Sequence, residues 1–160
     1  MNKKSKIIAV GAMTAALYAV LTVSLSFISY GPVQFRISEA LTVLPYFFPI
    51  TVIGLTAGCL ISSLFSPYML MDLIFGTLAT LIGSAGTYLL SKRNLWYLAP
   101  LPPVISNTII VGLVITYQEL NGIELNAFLF NASTVALGEA VCCYGLGLPL
   151  LMYIKKRLKQ

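Results

Sequence analysis

Two acids in this 160-residue chain stand in apolar surroundings, Asp72 and Glu139, where an ionised carboxylate costs at least a few kcal/mol. Side chains held at that cost are candidates to recognise a polar or charged ligand. Asn131, Thr134, Gly138 and Glu139 follow offsets of 0, 3, 7 and 8 and so share one broad helical face. Asn107 and Gln118, 11 positions apart, are co-facial on an earlier helix. Carboxylates accept hydrogen bonds, while amides both donate and accept, so two such faces turned toward each other make a polar cavity that binds without cutting bonds. The competing structural role for each amide is a hydrogen bond between helices, worth about 0.6 to 2 kcal/mol. A second group sits earlier, where Arg36 precedes Glu39 by three. That pair can support a helix start, and Gln34, Phe35, Arg36 and Glu39 can equally form a lid and rim over a pocket.

The residue inventory excludes most catalysis. Histidine is absent, which removes the commonest metal ligand and the side chain best suited to acid-base work near neutral pH. Asp72 is the sole aspartate, so an aspartyl dyad has no second member. No Gly-x-x-x-x-Gly-Lys-Ser/Thr stretch is present to cradle ATP phosphates. Cys59, Cys142 and Cys143 lie in apolar runs and read as small core residues. The expectation is a protein with no enzyme activity, cofactor or metal of its own.

These faces are positioned by elements that the hydropathy defines. The chain is 58% hydrophobic and 9% charged, with mean hydropathy +0.90, a balance that one soluble core cannot hide. Lipid is the solvent implied. Crossing a hydrocarbon core of about 30 Å takes about 20 residues, so the chain reads as a single all-α integral membrane domain, residues 1–160, with six transmembrane helices. The expected helices are Ile7 to Ile28, Ile37 to Phe48, Thr51 to Leu64, Met71 to Leu90, Leu95 to Tyr117 and Ala127 to Ile154. The first is too long for a signal-peptide core, and Pro100, Pro102 and Pro103 predict an irregular start to the fifth. Nine of the ten Lys and Arg residues fall at the amino end, at Lys92-Arg93 and at the carboxyl end. The positive-inside rule makes that side, with both termini, cytoplasmic. The net charge of +5 then serves topology and contact with anionic lipid rather than nucleic acid, since no aromatic-interleaved basic platform is present. On the first helix, Gly11, Ala12, Ala15, Ala16 and Ala19 supply small-xxx-small pairs that let another helix approach, inside the bundle or from a partner.

The stretch Gly31-Pro32-Val33-Gln34-Phe35-Arg36-Ile37-Ser38-Glu39-Ala40-Leu41-Thr42-Val43-Leu44-Pro45 resembles the hallmark segment of the QueT family. Asp72-Leu73-Ile74-Phe75-Gly76-Thr77-Leu78-Ala79-Thr80-Leu81 is similar to that family's fourth helix. The resemblance implies a substrate-binding S component of an energy-coupling factor (ECF) importer in the cell membrane, taking up a queuosine precursor: preQ1, preQ0 or queuine, all deazaguanines. It implies partners as well, a transmembrane coupling subunit and two ATPases, and a docking motif Ala-x-x-x-Ala that Ala12 with Ala16 and Ala15 with Ala19 both match. The implied ligand fits the residue chemistry. A guanine-like edge presents two parallel N–H donors that one carboxylate accepts, with amides for the carbonyl and ring nitrogen. Glu39, Asp72 or Glu139 can take that role, and a second carboxylate would hold an aminomethyl cation. Tyr30, Phe35 and Phe75 offer aromatic faces to the base. Two other readings compete, a self-sufficient small secondary transporter and a non-catalytic structural membrane subunit. The first is weakened by the lack of an internal repeat.

Overall fold

The computed structural model describes residues 2–29 and 35–158, and every regular element among them is helical. Helix α1 (Lys3–Ser24) is followed by a single turn, Ser26–Ser29, and then by a 3-10 segment, Ile37–Tyr46. Helix α2 (Thr51–Ser63) is 13 residues long. Helices α3 (Met69–Lys92), α4 (Trp96–Leu120) and α5 (Leu125–Leu158) complete the bundle, and these three and α1 are long and apolar enough to cross a membrane.

The burial pattern is inverted relative to a soluble domain. Among the described residues, twenty polar or charged side chains are buried against fourteen apolar ones. Large apolar residues such as Phe27, Ile8, Leu70 and Phe130 are instead at least 67% exposed. Buried apolar side chains form three small clusters, around Tyr18 and Leu55, around Val43 and Leu151, and around Ala79, Val111 and Val135. A surface this apolar around an interior this polar is stable only where the surroundings are themselves apolar.

Close helix approach depends on missing side chains. A Cβ on Gly54 would lie 2.5 Å from the Gly11 carbonyl oxygen, and one on Gly58 would lie 2.7 Å from the Ala15 oxygen and 2.8 Å from Tyr18 Cβ. The backbones of α1 and α2 therefore touch, in the manner of small-residue packing in membranes. The small-residue face of α1 divides accordingly. Gly11 is buried and Ala15 half-buried against α2, whereas Ala12 and Ala16 remain exposed and Ala19 is half-buried.

The segment expected as a helix from Ile37 to Phe48 is a 3-10 helix from Ile37 to Tyr46. Pro45 disfavours α winding, in which its ring would clash with the carbonyl four residues back, and the Thr42 hydroxyl donates to the Glu39 carbonyl, three residues back, at 2.5 Å. Three residues per turn stack positions three apart on one edge. Arg36, Glu39, Thr42 and Pro45 form that edge, and all four are buried. Two further departures from α geometry are π-helical stretches, Asp72–Gly76 in α3 and Val141–Gly147 in α5. Such bulges are rare and favour functional sites. Each lies beside one of the buried acids, Asp72 or Glu139.

Candidate functional site

Six helical segments each send one side chain to a common polar centre: Tyr18 from α1, Glu39 from the 3-10 segment, Cys59 from α2, Thr80 from α3, Asn107 from α4 and Glu139 from α5. The Tyr18 hydroxyl donates a short hydrogen bond to Glu39 Oε1, and Thr80 Oγ1 reaches the same oxygen at 3.4 Å and Cys59 Sγ at 3.3 Å. Asn107 Nδ2 donates to Glu139 Oε1 at 2.9 Å, and the Cys143 thiol lies 3.6 Å from Glu139 Oε2. Asn107 also stands within polar range of Glu39, which links the two carboxylates through one amide. Glu39 and Asn107 are 0% exposed and Glu139 2%.

Positive charge enters from the edge of this centre. Arg36 is 3% exposed, and its guanidinium acts on Tyr18, Cys59, Asp72 and Glu39. Its Nη1 lies 3.9 Å from where Gly76 would carry a Cβ, with Asp72 Oδ1 at 4.0 Å from the same point. Asp72 is further fixed by a short hydrogen bond from the Ser66 hydroxyl, while Ser63 Oγ donates to its backbone carbonyl at 3.2 Å.

Hydrogen-bond accounting in the centre is incomplete. Among the described residues, Glu39 Oε2 and Asn107 Oδ1 are buried acceptors with no donor. An unmatched buried polar group costs about 1 to 3 kcal/mol. Both are acceptors, the complement of N–H or O–H donors.

The structure thus gathers Arg36, Glu39, Asn107 and Glu139, with Asp72 at the margin beside Arg36. It separates the others. Asn131 Nδ2 donates to Glu119 Oε2 at 2.9 Å and to Thr116 Oγ1 at 3.2 Å, forming a second polar pair nearer the α4–α5 loop. It is Thr116 and Glu119, rather than Gln118, that α4 turns toward Asn131. Phe75 is 40% exposed and lines an apolar groove between α3 and α4 with Met71, Leu78 and Tyr117. Phe35 lines another with Ile28, Ile37 and Cys142. Gln34 and Tyr30 lie outside the described residues.

Tyr18 and Thr80 were not singled out by sequence reasoning, although a signal existed for each. Thr14, Tyr18 and Thr22 recur every four residues along α1, and all are buried. Thr77, Thr80, Ser84 and Thr87 form a comparable hydroxyl stripe on α3, all but Thr77 buried.

Residues 8–156 match the family model described as QueT transporter. This chain belongs to the QueT transporter family. It is 37% identical over 147 residues, 86% of each chain, to the queuosine precursor transporter QueT of Lactococcus lactis subsp. cremoris (strain MG1363). No solved structure matches it. Family membership and the apolar helices together make it a membrane transport protein.

Proposed function

We propose that this chain is the substrate-capture component of an energy-coupling factor importer and binds a queuosine precursor of the deazaguanine class at the Glu39–Asn107–Glu139 centre. The observation that carries the reading is the pair of unmatched acceptors, Glu39 Oε2 and Asn107 Oδ1, buried in a transporter of the QueT family. A guanine-type edge brings adjacent ring and exocyclic N–H donors, which suit a carboxylate oxygen and a neighbouring amide oxygen. Glu139 has both oxygens engaged, by Asn107 and Cys143, and serves to orient the amide. Asp72 or Glu139 then balances an aminomethyl cation. The relative from Lactococcus supports this substrate class through its name.

In this reading the whole chain is one domain of six spans in the plasma membrane, with both termini cytoplasmic. The 3-10 segment and α2 supply the second and third spans. The 3-10 rise of about 2.0 Å per residue carries ten residues farther than an α-helix would, about 20 Å of a hydrocarbon core of about 30 Å. Ala12, Ala15, Ala16 and Ala19 dock the transmembrane coupling subunit, and two ATPase subunits supply the energy. The exposure of Ala12 and Ala16 supports that use of the face. Gln34 and Phe35 keep the ligand-contacting role that their place in the sequence gave them, and Asn131 and Phe75 are secondary contacts.

Calorimetric titration of the purified chain in detergent tests the proposal, with preQ1, queuine and guanine as ligands. Saturable binding without ATP or partners supports a capture component. No binding to any of them overturns the assignment of cargo, and uptake by the chain alone in vesicles would favour the self-sufficient transporter.

A further inference from the structure

We infer that the basic end of the molecule carries a specific site for an anionic phospholipid, formed by the first two turns of α1 and the residues that join the 3-10 segment to α2. The site has an apolar floor and a cationic rim. A groove of about 410 Å³ is lined by Lys6, Ile7, Val10, Phe47, Phe48, Pro49 and Ile50. Lys3, Lys6, Ile7 and Val10 are spaced 0, 3, 4 and 7 along α1, which places them on one helical face. Lys6 thus lines the groove beside Ile7 and Val10, and Lys3, one turn earlier on the same face, continues the cationic rim. That order, charge over hydrocarbon, matches a phospholipid whose phosphate meets the lysines while an acyl chain lies along Val10 and Phe48.

The depth of the groove agrees with this occupant. Phe47 packs with Tyr46 and Trp96 around Val43, Ala99 and Leu151, and Tyr46 donates to Asn94 Oδ1 at 3.2 Å. Lys155 covers the Trp96 ring at 4.3 Å. Trp, Tyr and Lys in this arrangement mark the headgroup level of a bilayer, so the mouth of the groove is at phosphate depth and its floor at acyl depth. Charge complementarity selects an anionic lipid. The chain has five acids, and none is at this end: Glu39, Asp72 and Glu139 are buried in the bundle, while Glu119 and Glu124 flank the far α4–α5 loop. Among the described residues no acid stands beside Lys3, Lys4 and Lys6, all exposed, and each such cation near a membrane surface favours anionic lipid severalfold.

Native mass spectrometry of the full chain in detergent, with phosphatidylglycerol and phosphatidylcholine of identical acyl chains, tests the site. Phosphatidylglycerol adducts should exceed phosphatidylcholine adducts at least about fivefold. The double variant Lys3→Gln/Lys6→Gln should abolish that excess, and Val10→Trp, which fills the floor, should reduce adducts of both lipids. The variant Lys92→Gln/Arg93→Gln, with cations removed outside the groove, should keep the excess. Equal adducts in the unaltered chain, equal loss in both double variants, or displacement of phosphatidylglycerol by free glycerol phosphate would each overturn the inference. The lipid ratio and the displacement test use the unaltered chain, so they stand even where a variant folds poorly.

Discussion

Asn107 donates through Nδ2 to Glu139 Oε1 at 2.9 Å, while its own Oδ1 stays buried and unmatched. The hydrogen bond fixes which way the amide faces, because a flipped amide would set two acceptors against each other. One carboxylate on α5 thereby orients an acceptor of α4 within the centre. Replacing Asn107 with Asp should remove the donor and add a like charge beside Glu139. Ligand affinity should fall at least about tenfold, with melting in detergent lowered as well. Unchanged affinity for preQ1 in calorimetry would move the binding site elsewhere.

Glu39→Gln should weaken deazaguanine binding about ten- to a hundredfold, since a hydrogen bond to a charged group contributes about 1.5 to 3 kcal/mol. The fold should persist, because Gln retains one acceptor for the Tyr18 hydroxyl. Titration of the variant against the unaltered chain checks this, and equal affinities would rule Glu39 out as the reader of the ligand edge.

Tyr18→Phe removes the hydroxyl that donates to Glu39 without opening a cavity. Stability should drop about 1 to 3 kcal/mol from loss of the shorter of the two hydrogen bonds to Glu39 Oε1, the one from Thr80 at 3.4 Å remaining. In a double-mutant cycle, Tyr18→Phe and Glu39→Gln should be markedly non-additive, as partners in one network are. Additive losses would mean the two side chains act separately.

Asn131→Ala should break the pair with Glu119 yet change ligand affinity by less than about threefold, because that pair lies apart from the Glu39–Asn107–Glu139 centre. A larger effect than that of Asn107→Asp would place the cargo nearer the α4–α5 loop.

Gly54→Val should destabilise the bundle by about 1 to 3 kcal/mol or more through overpacking, since its Cβ would sit 2.5 Å from the Gly11 oxygen. Gly145→Val is the matched control, with nothing within 4 Å of its added Cβ. Thermal melts of the two proteins side by side decide the point, and similar melting temperatures would show that α1 and α2 can part without cost.

Long apolar runs were readable from the sequence because lipid leaves little choice of structure. The expected helix from Thr51 to Leu64 ends within one residue of the observed Thr51–Ser63, and the expected Met71 to Leu90 lies inside Met69–Lys92. Arg36, Glu39 and Glu139 were readable too, since an ionisable group among apolar neighbours is costly wherever it stands. Tyr18 and Thr80 were not, because hydroxyls are common in membrane helices and can satisfy themselves on their own backbone, as Thr22 does on the Tyr18 carbonyl at 2.8 Å. The 3-10 winding of Ile37–Tyr46 was missed for a related reason: residues three apart share a face in an α-helix as well, so the pattern of apolar positions does not separate the two. Asn131 and Asn107 looked like members of one cavity by type and facing, and only their partners divide them, Thr116 and Glu119 for Asn131 and Glu139 for Asn107.

The 3-10 edge of Arg36, Glu39, Thr42 and Pro45 makes this part of the gene intolerant of length change. Adding or deleting one codon between Arg36 and Glu39 would turn Glu39 by about a third of a revolution, toward Ala40 or Ser38 positions that have no carboxylate partners. Substitutions along the edge leave its phase intact, whereas a frame-preserving insertion does not, so natural variation in this segment should run through residue exchange and never through indels.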